Sequence, residues 1–149
     1  IGGYHPFEVT SNHLQVIRYY EEQAAGQIIP IVGASDAHGC ETGELFGWYY
    51  TLAFAPSASL EDLIAAVKAL HSVAVEALPG QAPQAYGPLR LVKYAQFLLR
   101  EVFPEHDALC REEGVLMAAY LTGDADAEGQ LAAIQGQTAA LFGQMWAAD

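Results

Sequence analysis

Apolar and polar residues along the first half of the chain follow two alternating patterns. Short apolar runs, typical of buried strands, lie at residues 7–9, 28–33, 48–55 and 72–76. Longer stretches in which apolar residues return every third or fourth position, as in amphipathic helices, lie at residues 13–25 and 60–70. Strands and helices in this order predict an α/β fold with a parallel sheet or barrel.

Capping residues and apolar spacing define the two predicted helices further. The sequence Thr-Ser-Asn at residues 10–12 is predicted to cap the first helix. Ser59 and Asp62 form a capping-box pattern that predicts the start of the second helix. We expect that second helix to bury its regularly spaced apolar residues, which are Leu60, Leu63, Ile64, Val67 and Leu70.

The second half of the chain has a helical pattern. Residues 78–87 are rich in Pro, Gly, Gln and Ala, which predicts a linker or surface loop. Three helices are predicted after it, at residues 88–102, 105–121 and 127–146, with Pro104 ending the first. Their predicted interior residues are Leu91, Leu98, Leu109, Leu116, Leu131, Ile134 and Leu141. We therefore predict an α/β part over residues 1–80 and a helical extension over residues 81–149.

Composition and charge exclude several classes of protein. Lys and Arg together number six and the net charge is −12, which argues against a nucleic-acid partner. No apolar run approaches the roughly 18 residues that a membrane-spanning helix requires. Two cysteines without metal-type spacing, Cys40 and Cys110, favour a reducing cytoplasmic setting, and a single disulfide stays open. The chain starts at Ile1 directly in patterned sequence, so we expect natural N-terminal sequence to be missing.

Candidate chemistry concentrates in residues 33–39, with the sequence Gly-Ala-Ser-Asp-Ala-His-Gly. Asp36 and His38 stand two positions apart, and in an extended segment such side chains point to the same side. A carboxylate and an imidazole together suit Zn, Mn or Fe. The alternative is a polar turn in which Asp36 caps a backbone amide and His38 is merely exposed.

A family resemblance appears over residues 7–77. The stretch IIPIVGASDAHG, then GELFGWYYTLAFA and the helix SLEDLIAAVKAL, resembles the last part of the PHP superfamily, named for polymerase-associated domains and histidinol phosphatase. That family ends its metal site with Ser-Asp-x-His after a buried strand. The segment FEVTSN resembles the strand before it, where the family often has Ile-Glu-Val and a nearby Asn.

The resemblance implies a fold, a reaction and a set of ligands. The fold is the C-terminal portion of a distorted (β/α)7 TIM-like barrel of PHP type, followed here by the helical extension. The reaction is hydrolysis of a small phosphorylated substrate by water activated at two or three divalent ions, Zn, Mn or Fe. Asp36 and His38 inherit the ligand role. The family's remaining ligands, a His-x-His pair among them, belong to the missing N-terminal part of the barrel, so this fragment alone should be inactive.

Other residues are candidates for lesser roles. Glu8 and Asn12 could reach the metal site from the neighbouring strand end, either as direct ligands or in a supporting or solvated role, and Ser35 is a candidate for a supporting role. His106 and Cys110 lie one helical turn apart and could share a metal, although acidic residues at a helix start explain that segment more simply. The rival function is a non-catalytic PHP-like α/β interaction or structural module. An intact His-x-His upstream would favour the enzyme over this rival.

Overall fold

The computed structural model describes residues 1–3, 8–38 and 45–146. The helices are α1 (Glu8–Ala24), α2 (Leu60–Lys68), α3 (Leu89–Phe97), α4 (Phe103–Leu121) and α5 (Ala127–Trp146), with a π-helical turn at Leu98–Val102. The strands are β1 (Tyr49–Ala53), β2 (Ser72–Glu76) and β3 (Gln84–Tyr86). The predicted mixture of helices and strands is confirmed. The chain divides into two compact units, residues 1–96 and 97–149.

The sheet of the first unit is antiparallel throughout, in the order β1-β2-β3. The predicted parallel order of the strands is therefore wrong. The start of β2 lies beside the end of β1. Ala53 pairs with Ser72, and the Phe54 N–H donates to the His71 carbonyl at 2.8 Å. Helix α2 thus lies inside a long hairpin connection, whereas parallel neighbours would need a crossover to the other end of the sheet.

Residues 28–33 form no regular strand, so this predicted strand is wrong. Side-chain hydroxyls take the place of a ladder. The Thr51 hydroxyl accepts from the Gly33 N–H at 3.0 Å and donates to the Gly33 carbonyl at 2.9 Å. The Ser72 hydroxyl donates to the Ile31 carbonyl at 2.9 Å. Pro30 has no N–H to offer a neighbouring strand, which agrees with this arrangement.

Helix α1 begins earlier than its sequence predicts. Glu8 and Val9 are helical, so the strand predicted at residues 7–9 is wrong for both, and Phe7 lies outside the described residues. Asn12, predicted as a cap, lies within the helix and is 1% exposed. The helix packs on the sheet through Tyr19, which is buried in a cluster with Ile31 and Ala74. Burial of this apolar face stabilises the helix more than its capping sequence does.

Helix α2 has the predicted start but not the predicted burial. The Ser59 hydroxyl accepts from the Asp62 N–H at 3.2 Å, which confirms the cap. Leu60, however, is 68% exposed, and Ile64 is 45% exposed. The buried residue of this helix is Ala66. The prediction that the apolar stripe is buried is therefore wrong for Leu60, Leu63 and Ile64, whereas Val67 and Leu70 are half-buried.

The segment predicted as a linker or surface loop contains a short strand. Residues 78–87 include β3, which pairs with β2 from Ala74–Tyr86 to Glu76–Gln84. Its pairing makes β2 the central strand, and all five residues of β2 are buried. A three-residue strand is too short to leave a periodic pattern in the sequence.

The helical character predicted for the C-terminal region is confirmed. Pro104 does not end a helix as predicted but lies in the first turn of α4, where its missing N–H costs nothing. The predicted interior residues Leu98, Ile134 and Leu141 are buried. The other predicted interior positions, Leu91, Leu109, Leu116 and Leu131, are half-buried. Among the described helices, none combines the length and the apolar character needed to cross a membrane.

Candidate functional site

The loop that carries Asp36 and His38 leaves the sheet at a defined end. Ile31 is tied to Ser72 and Gly33 is tied to Thr51, so residues 31–34 run alongside β1 in the opposite direction, parallel to β2. The loop therefore follows at the end of the sheet where β2 finishes. The close approach requires glycine, because a Cβ atom on Gly33 would stand 2.5 Å from the Tyr50 carbonyl oxygen.

The loop itself is a turn and not a continued strand. Asp36 has φ 59°, in the left-handed region that aspartate tolerates better than most residues. The Ser35 hydroxyl accepts from the Ala37 N–H at 3.3 Å, so Ser35 shapes the turn. The alternation that places residues two apart on one side holds only for extended chain, and it does not apply across Asp36. The side chains of Asp36 and His38 are both exposed, and their shared ligation stays a prediction.

Asn12 fixes the chain segment against which this loop is built. Its Oδ1 accepts from the Gly2 N–H at 3.0 Å and its Nδ2 donates to the Gly2 carbonyl at 2.9 Å. Gly2 in turn forms a parallel bridge with Ala34, two residues before Asp36. A Cβ atom on Gly2 would stand 2.1 Å from the Ala34 carbonyl oxygen. Asn12 thus supports the base of the loop through Gly2, while the side chain of Glu8 lies outside what the structure describes.

The donor types in the loop fit a divalent metal, and the described part of the loop, residues 33–38, supplies two candidate ligands. An aspartate carboxylate and a histidine nitrogen suit Zn, Mn or Fe. Across residues 1–3, 8–38 and 45–146, no group of three or more His, Cys, Asp and Glu side chains could hold a metal ion. Cys40 lies outside the described residues. A complete ion site built on this loop would need ligands in addition to Asp36 and His38.

A second polar cluster, which the sequence did not reveal, lies at the end of β2. Glu76 closes this strand with its side chain 5% exposed, and its Oε1 is 3.3 Å from Nε2 of His13 on α1. The Tyr86 hydroxyl on β3 lies 3.5 Å from the same nitrogen. Glu76 Oε2 is buried and has no hydrogen-bond partner among the described residues. The one sequence signal was an acidic residue ending a strand that is otherwise apolar.

Electrostatics keep the tyrosine of this cluster protonated. Burial, and next the negative charge of Glu76, raise the pKa of Tyr86 to about 12, with smaller contributions from Tyr49 and Tyr20. Desolvation and the nearby carboxylate both oppose formation of a phenolate. At neutral pH the Tyr86 hydroxyl is therefore a neutral hydrogen-bond donor beside His13.

The alternative pair on α4 is brought into contact. Cys110 Sγ lies 3.6 Å from His106 Nε2, and His106 Nδ1 lies 3.1 Å from the Asp107 carboxylate. Cys110 and Asp107 are exposed, and the three residues lie within one turn of a single helix. This arrangement is what i,i+4 spacing on a helix surface produces without any ligand.

Comparison with known proteins adds no family to this description. No protein-family model, curated protein or solved structure matches the chain. The resemblance to the PHP superfamily therefore depends on the residues of the chain itself, above all the Ser-Asp-x-His segment.

Proposed function

We propose that this chain is part of a PHP-type metal-dependent phosphoesterase in which Asp36 and His38 bind one of the metal ions. The observation that carries the proposal is the Ser-Asp-Ala-His loop at the end of a sheet. Both candidate ligands are exposed there, and the chain before them is fixed by hydrogen bonds to Thr51 and by the bridge to Gly2. Exposed ligands on a fixed backbone are the arrangement that metal catalysis needs.

The chain's own residues would contribute charge and orientation to such a site. The Asp36 carboxylate offsets the positive charge of closely spaced cations. His38 offers an imidazole nitrogen as the second donor. When bound, divalent ions lower the pKa of a coordinated water and stabilise the charge that develops on a phosphate ester. The substrate class that follows is a small phosphorylated molecule.

The pairing of Gly2 with Ala34 supports a barrel origin for the first part of the chain. It is the one parallel bridge recorded within the described ranges, and α1 connects its two partners. Extended chain, helix and parallel extended chain is the unit from which (β/α) barrels are built. In this proposal, the unit that runs from Gly2 through α1 to Ala34 is the parallel part of a PHP-type (β/α)7 barrel piece over residues 1–80, whose three-stranded sheet is antiparallel.

Exposed apolar side chains on α1 and α2 also favour a larger assembly. Leu14 and Ile17 on α1 are 61% and 54% exposed. Leu60 and Ile64 on α2 are exposed to a similar degree. Apolar residues that recur on a helix face ordinarily pack against another element. The missing N-terminal part of the same barrel is the partner that we propose for these faces.

A non-catalytic PHP-like module is the second candidate function. It is favoured by the local geometry of the loop, in which Asp36 has φ 59° and the Ser35 hydroxyl accepts from the Ala37 N–H, as in a polar turn. Such a module would keep the loop as a polar turn and use the same exposed faces for interaction alone.

The deciding experiment measures metal content and hydrolysis of a generic aryl phosphate in the complete protein that carries this chain. We expect Asp36→Ala and His38→Ala each to lower both quantities by orders of magnitude. His71→Ala, at another exposed histidine, is the matched control and should change neither. Full metal and turnover in both loop variants would refute the proposal. Metal binding without turnover in the unsubstituted protein would favour the non-catalytic module.

A further inference from the structure

The cluster of His13, Glu76 and Tyr86 joins three elements of the first unit. His13 lies on α1, Glu76 ends β2, and Tyr86 ends β3. The His13 nitrogen Nε2 is 3.3 Å from Glu76 Oε1 and 3.5 Å from the Tyr86 hydroxyl. One carboxylate and one phenol therefore both approach the same nitrogen of one imidazole.

Within the described residues, no Lys or Arg forms an ion pair with Glu76. Its side chain is 5% exposed, and the ion pair recorded for it is with His13, which carries charge only when protonated. Oε2 is buried without a hydrogen-bond partner in the described part of the chain. Burial of a carboxylate is costly unless it is paired or binds a metal. A buried, half-satisfied carboxylate beside an imidazole thus calls for a positive ligand.

The distances match those between ligands of one ion. Two donors that each bind a tetrahedral ion at about 2.0–2.1 Å stand about 3.3 Å apart. The observed separations of 3.3 and 3.5 Å from the His13 nitrogen agree with that geometry. We propose that His13, Glu76 and Tyr86 form a binding site for a divalent cation of the zinc class, made of residues other than Asp36 and His38.

Access and protonation are compatible with such a site. The His13 side chain is 50% exposed, so the cluster opens to solvent on the side of α1. To bind, His13 Nε2 must be without its proton, which leaves the proton on Nδ1 and the imidazole neutral. A bound cation would also oppose the Glu76 charge that helps keep the Tyr86 phenol protonated. Metal binding should therefore shift the ultraviolet titration of tyrosine to lower pH.

The test is equilibrium dialysis of the metal-stripped chain against zinc ions. We expect Glu76→Gln, which keeps the shape of the side chain, and His13→Gln each to lose one bound equivalent of zinc. The double variant of Asp36→Ala with His38→Ala should retain that equivalent, and so should His106→Ala, which removes the half-buried imidazole beside Cys110. Tyr86→Phe should abolish the zinc-dependent shift in the tyrosine titration.

Two outcomes would overturn the proposal. One is an unchanged zinc stoichiometry in both the Glu76→Gln and His13→Gln variants, with folding verified by circular dichroism. His13 is half exposed, so its variant provides a folded test even if Glu76→Gln does not fold. The other is loss of the same equivalent in the Asp36→Ala and His38→Ala double variant, which would assign the ion to the loop of the proposed phosphoesterase.

Discussion

Asn12→Ala tests whether one buried side chain fixes α1 to the extended chain beside the candidate loop. The change removes two hydrogen bonds, of 3.0 and 2.9 Å, that join the Asn12 amide to both backbone groups of Gly2. Each such bond contributes about 1 kcal/mol net, and a polar group left unpaired adds to the cost where water cannot reach it. Alanine recovers up to about 0.7 kcal/mol through its higher helix propensity. The expected loss in the free energy of unfolding is about 1–3 kcal/mol.

Urea unfolding followed by Trp48 fluorescence measures this loss. Trp48 lies next to β1 in the first unit, where its carbonyl accepts from the Ala77 N–H at 2.7 Å. The measurement uses a Trp146→Phe background, so that the signal reports the first unit alone. Gln15→Ala, at an exposed position of the same helix, is the matched control and should stay within about 0.5 kcal/mol of the parent.

A loss of less than about 0.5 kcal/mol in Asn12→Ala would refute this reasoning, because it would equal the effect expected of an ordinary surface position. Such a result would mean that the packing of Val16 and Tyr19, both buried, positions the helix without help from the amide.

Three further predictions concern the same unit. Thr51→Val removes both hydrogen bonds between the Thr51 hydroxyl and Gly33, so it should lower the free energy of unfolding of the unit by about 1–2 kcal/mol. It should also speed hydrogen exchange of the Gly33 amide, and an unchanged exchange rate would contradict the prediction. With the pKa of Tyr86 raised to about 12 from 10.0, the phenol's contribution to stability is complete below pH 10 and lost as pH rises towards 12. Tyr86→Phe should flatten that decline in a pH series of unfolding curves, and an identical decline would count against the shift. Because Leu63 and Ile64 are exposed, the chain should self-associate in sedimentation experiments and do so less after Leu63→Gln with Ile64→Gln. A monodisperse parent chain would contradict this.

Local patterns predicted the helices well because their causes are local. The Ser59 cap and the periodic stretches of α4 and α5 depend on neighbours within one or two turns. The direction of β2 could not be predicted in this way. The direction of β2 depends on which end of the sheet the connection from β1 leads to, and the spacing of apolar residues does not determine that end.

Burial and side-chain partners were the other limits of the sequence. The apolar stripe of α2 predicts a buried face, but periodicity alone cannot show whether a partner covers it. The loop with Asp36 was identified from residue types, whereas its left-handed backbone was not. His13 and Glu76 are 63 positions apart, so only the folded chain brings them together.

The connection from β1 to β2 is a site where residues could be inserted or substituted without changing the sheet. Residues 54–71 leave and rejoin the sheet at neighbouring positions, closed by the Phe54 bond to His71. The entropic cost of closing a loop grows only slowly with its length. The pairing of β1 with β2 therefore fixes the two ends of this connection but sets little limit on its length. Exposed positions of α2 can therefore be substituted, or a peptide can be inserted among them, while β1 and β2 keep their register, provided that the buried Ala66 is retained.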